Sequence, residues 1–150
     1  MTKLLLSVHV LAALLAIGPV AVAASMFPRS LRQAHDAPDD QGALAGLGLL
    51  HRVCRIYAVV GVTVPVFGLA TARNLGVLGS GWLITSIVLT AAAAAVLGLL
   101  ILPAQEAALE AAPDTADSAA RLAMLTGVFN LLWATVTVLM IVRPGSTTGA

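Results

Sequence analysis

Four long apolar runs, separated by short polar stretches, organise this chain. The first runs from Leu4 to Phe27 and is closed by PRSLRQAHDAPDDQG. The second covers Leu49 to Ala72 and is closed by RNLGVLGSG. The third, Trp82 to Leu102, meets Pro103 and the acidic AQEAALEAAPDTADSAAR, and the fourth, Leu122 to Val142, ends at RPGSTTGA. A membrane-spanning helix needs about 20 apolar residues. Backbone groups in hydrocarbon must pair within their own segment, which makes such runs helices rather than single strands. Spans are therefore expected at 4–27, 49–72, 82–102 and 122–142. Short connections force neighbouring helices to run antiparallel. The expected fold class is all-α: a four-helix transmembrane bundle of up-down topology, with residues 1–150 as one integral membrane domain.

Composition supports lipid as the solvent. The chain is 59% hydrophobic and 10% charged, against about 25% charged for a soluble domain. A net charge of +1, with no basic stripe, argues against a nucleic-acid partner. A single cysteine, Cys54, excludes an intramolecular disulfide and a cysteine-rich metal site. Lys3 followed by an apolar region and AVAAS also fits a secretory signal peptide with its A-x-A site at Ala21 to Ala23. Against that reading, the apolar run continues to Phe27.

Loops one and three share a side in this topology. They carry Arg29, Arg32 and Arg121, with Arg52 and Arg55 just inside the second helix, while Lys3, Arg73 and Arg143 lie opposite. Lys and Arg set orientation and acids count for little. This places loops one and three in the cytoplasm and the chain in the cell membrane as a multi-pass protein.

Small residues let membrane helices approach closely. His9, Ala12, Ala13, Ala16 and Ala23 fall near one face of the first helix. Pro19 and Pro65 should bend their helices and free carbonyls that need neighbours. Asn130 lies near the midpoint of the fourth helix with Thr126, Trp133 and Thr137 on its face. Asn130, Thr126 and Thr137 are thus expected to make an interhelical polar contact.

The histidines raise the question of a cofactor. His9 sits about 8 Å inside the face where the chain begins, while His51 enters from the opposite face. That leaves roughly 15–20 Å between them along a bilayer core of about 30 Å. Axial ligands of one iron sit about 4 Å apart, given metal–nitrogen bonds near 2 Å, so a shared bis-histidine haem is unfavourable. His9 could instead meet Thr137 or Met140 on the fourth helix, or Thr85 or Ser86 on the third. His9 with Met140 is the candidate set for haem b or copper. The plainer reading is a neutral imidazole bonded to a hydroxyl or a carbonyl. At the other face His51, Arg52 and Arg55, with Arg121 at similar depth, form a candidate anion or lipid-headgroup site. Snorkelling and anchoring account for the same arginines.

The stretches LLLSVHVLAALLAIGP, MFPRSLR, LLHRVCRIYAVVGVTVPVFGLAT and NLLWATVTVLMIVRPGS together resemble a bacterial family of small integral membrane proteins, the domain-of-unknown-function type numbered 2269. That resemblance covers all four runs and implies a four-helix membrane protein without an assigned activity. A looser similarity, carried by His9 alone, extends to CopD-type copper-resistance proteins and HemJ-type haem-pathway oxidases. The expectation that follows is a non-enzymatic structural, accessory or assembly component of a membrane complex, with homo-oligomers included. The alternative is a haem- or copper-binding redox or transport protein using His9.

Overall fold

The computed structural model of the chain describes residues 2–110 and 115–145. Among them the protein is all-helical, with no strand. Helix α1 is Thr2–Asp36, α2 is Gln41–Gly61, α3 is Thr63–Leu75 and α4 is Gly81–Ala95. A π-helical segment, Val96–Ile101, leads into α5 (Leu102–Glu110), and α6 is Thr115–Val142. Four stretches are long and apolar enough to cross a membrane: Lys3–Asp36, Gln41–Leu75, Gly81–Glu110 and Ala116–Val142.

The spans are longer than the apolar runs, and each extension has a physical reason. Helix α1 was expected to stop at Phe27, yet it continues through Pro28 to Asp36. Phe27, Leu31 and Ala34 stay buried along one face, so packing carries the helix beyond its proline. Helix α2 begins at Gln41 rather than near Leu49, because Asp40 caps it by accepting from the Gly42 and Ala43 amides at 2.8 and 3.2 Å. The second span is interrupted at Val62, which puts Pro65 in the first turn of α3, where a missing N–H is tolerated. Helix α1, by contrast, is continuous through Pro19.

The third span was expected to end before Pro103, but the helix resumes as α5 and carries part of the acidic stretch. A proline ring clashes with an α-helical carbonyl four residues back, and the π turns lie immediately before it. They also hold a face in register. Ala93, Leu97, Ile101 and Gln105 are all buried at four-residue steps. In an α-helix such steps drift by about 40° each. A π turn closes its hydrogen bond one residue later and offsets that drift.

The main core joins Val20, Phe27 and Leu31 of α1, Leu47 of α2, Leu97 and Ile101 of the π segment, and Leu122 and Phe129 of α6. A second cluster joins Ala23 and Ala24 to Cys54, and a third joins Ala72, Trp82 and Leu83 with Met140 against them. Gly76, at φ 68°, closes α3 in the left-handed region, where glycine is unstrained. Arg143 closes α6 at φ 46°. Its Nε donates to the Met140 carbonyl at 3.2 Å, and its guanidinium lies 5.8 Å from the Trp82 ring centroid.

Removing the Phe129 ring should open a cavity in the main core. Phe129→Ala is expected to cost about 3 kcal/mol in an SDS-unfolding titration. Leu131→Ala, on the outward face at 70% exposure, should leave the transition nearly unchanged.

Candidate functional site

Among the described residues, the polar side chains that bridge helices inside the spans gather into three contacts. The first begins with what Pro28 lacks. A proline has no N–H for the carbonyl four residues back, here Ala24. Thr126 Oγ1 of α6 donates to that Ala24 carbonyl at 3.4 Å. Thr126 and Ala24 are both buried, so the hydroxyl fills a vacancy in the α1 ladder from another helix. Four residues along, Asn130 Nδ2 donates to Ser25 Oγ at 3.2 Å. The structure does not place Thr137 with them. It is exposed, and its hydroxyl turns back to the Trp133 carbonyl at 2.9 Å. Trp133 meets Phe129 edge-on with centroids 6.3 Å apart. The indole nitrogens of Trp82 and Trp133 are buried without a hydrogen-bond partner among the described residues.

The second contact holds His9. Its Nδ1 lies 2.9 Å from the Val64 carbonyl of α3. A carbonyl can only accept, so Nδ1 carries a proton and donates. Gly68 provides the space: a Cβ there would sit 2.9 Å from the imidazole Cε1. Of the partners expected from sequence, the Thr85 and Ser86 hydroxyls donate to their own helix at Gly81 and Trp82. Met140 packs in the Ala72, Trp82 and Leu83 cluster. The described contacts of His9 are with α3, and those of Met140 are with the cluster around Trp82.

The third contact lies at the opposite end of the second span. His51 Nδ1 donates to Gln105 Oε1 at 3.1 Å, and Gln105 Nε2 donates to Cys54 Sγ at 3.6 Å. Gln105 and Cys54 are fully buried and His51 is nearly so. His51, Arg52, Arg55, Ile56 and Val59 line an open groove of about 500 Å³. Arg121, expected beside them, is exposed on α6 and does not line this groove. Arg52 and Arg55 share the exposed face of α2.

Gln105, Ser25 and the two accepting carbonyls were not singled out by sequence. Two signals were available. Pro28 four residues after Ala24 marks a carbonyl in need of a donor, and Gln105 continues the four-residue step from Leu97 and Ile101. No group of three or more His, Cys, Asp or Glu is placed to hold a metal ion among the described residues. Comparison with family models, with curated proteins and with solved structures finds no match.

Two double-mutant cycles test these contacts. Thr126→Val should cost about 1 kcal/mol through the unpaired Ala24 carbonyl. In a Pro28→Ala background, where α1 regains its own amide, the same change should cost much less. Gly68→Ala should displace the His9 ring and lose a hydrogen bond of about 1 kcal/mol. In a His9→Ala background it should be nearly silent in the same SDS-unfolding titration.

Proposed function

We propose that this chain is a non-enzymatic structural or assembly component of a larger complex in the cell membrane. One observation carries this reading. Several polar side chains within the spans join one helix to another: His9 to Val64, His51 to Gln105 to Cys54, Thr126 to Ala24 and Asn130 to Ser25. A substrate site would leave such groups aimed at open space; among the described residues the buried side-chain polar atoms without a partner are the Trp82 and Trp133 indole nitrogens. The partners are the bilayer and either a second copy or other membrane subunits.

The up-down antiparallel topology belongs to this proposal, and three pairings support it. On the first two spans, His9 meets Val64 and Gly68, whereas Ala23 and Ala24 meet Cys54. On the second and third, His51 at the start meets Gln105 near the end. On the third and fourth, Trp82 at the start lies against Arg143 at the end. With that topology Arg29, Arg32, Arg52, Arg55 and Arg121 share one edge, which we assign to the cytoplasm. The resemblance to the domain type numbered 2269 is compatible with this reading.

A second reading is favoured by the His9 tautomer. With Nδ1–H held by the Val64 carbonyl, Nε2 is the ring nitrogen left outside that bond, the arrangement seen in metal-ligating histidines. Purification from native membranes into polymer nanodiscs separates the two readings. Cross-linking and mass spectrometry should recover a fixed partner or a second copy, and the preparation should be colourless. His9→Gln should lower stability by about 1 kcal/mol or less without changing the spectrum or metal content. A Soret band or stoichiometric copper that disappears in His9→Gln would replace the structural reading with the metal-binding one.

A further inference from the structure

Arg52 and Arg55 stand on the exposed face of α2, and neither guanidinium has an ion-pair or hydrogen-bond partner among the described residues. Glu106, next in sequence to the Gln105 that binds His51, is exposed and pairs with neither arginine. The two arginines sit at positions i and i+3, one turn apart on the same side of the helix. The face continues into Ile56 at 50% exposure and Val59 at 74%. His51 completes the groove while its Nδ1–H stays with Gln105.

Depth gives this arrangement a direction. The chain carries no charge from Ile56 to Ala72, which is roughly 25 Å of helix at 1.5 Å per residue. That nearly matches a hydrocarbon core of about 30 Å. Arg55 and Arg52 therefore fall at the edge where lipid phosphates lie, while Ile56 and Val59 face acyl chains.

We propose that this groove is a binding site for an anionic phospholipid. Arg52 and Arg55 hold the headgroup phosphate, and one acyl chain runs along Ile56 and Val59. Guanidinium groups suit phosphate oxygens geometrically and electrostatically. A zwitterionic lipid brings a cation toward two arginines, so the site discriminates by headgroup charge. A free anion would leave the apolar half of the groove unused. This inference is independent of whether the protein serves assembly or a metal.

The test uses the full chain in detergent with equal phosphatidylglycerol and phosphatidylcholine, washed and analysed for retained lipid by mass spectrometry. Wild type should retain phosphatidylglycerol in about tenfold preference. The R52Q/R55Q variant should lose most of that preference, and R73Q, at the other membrane edge, should keep it. V59W fills the acyl half of the groove without touching charge and should lower retained phosphatidylglycerol, so the proposal stays testable if the double variant folds poorly. Equal retention of both lipids by wild type would overturn the proposal, as would an unchanged preference in R52Q/R55Q. Displacement by inorganic phosphate alone would make this a free-anion site and overturn the lipid assignment. A changed oligomeric state in R52Q/R55Q with an unchanged lipid ratio would make the face a contact between copies, with the same consequence.

Discussion

A backbone carbonyl inside a membrane helix has no water to turn to, so a missing amide must be answered by the protein itself. At Pro28 that constraint ties two helices together. Ala24 loses its own partner in α1, and Thr126 supplies one from α6. The helix then runs on to Asp36, keeping Leu31 and Ala34 within the core. What looks like a helix breaker in sequence becomes an attachment point between the first and last spans.

The other polar contacts also join separate helices. His9 donates to a main-chain oxygen, where no side-chain pattern could have announced the partner. The His51 imidazole and the Cys54 thiol are bridged by one amide, Gln105, whose oxygen and nitrogen face different neighbours. In lipid such bonds add modest stability, and their larger effect is to select one helix register over its neighbours. Replacing Thr126 would leave the buried Ala24 carbonyl without its donor.

Much of the architecture was legible in the alternation of apolar runs and charges. Arg and Lys residues bracket the spans, and small residues on α1 fall on its buried face, with Ala16 at 1% exposure while Leu15 beside it is at 65%. Helix ends were less legible, because charge and proline mark the edge of hydrocarbon rather than the end of hydrogen bonding. The Asp40 cap and the burial of Phe27, Leu31 and Gln105 carry helices past those marks. Of the candidate site, the identities of Thr126, Asn130, His9 and His51 could be read from polar groups in apolar surroundings. Their partners were less legible: the Val64 carbonyl carries no mark, Ala24 is marked only by Pro28 four residues on, and Gln105 sits beside a charged stretch that resembles a loop.

The π segment gives the third span an unusual dependence on chain length. Val96–Ile101 connects a face that carries Ala93 to one that carries Gln105. A changed side chain in those six residues alters one contact. A lost residue would instead turn all of α5 by about 100°, swinging Gln105 off His51 and Ala108 off the core at once. The segment thus acts as a spacer whose length is read by everything after it, and the span tolerates rewriting there far better than shortening.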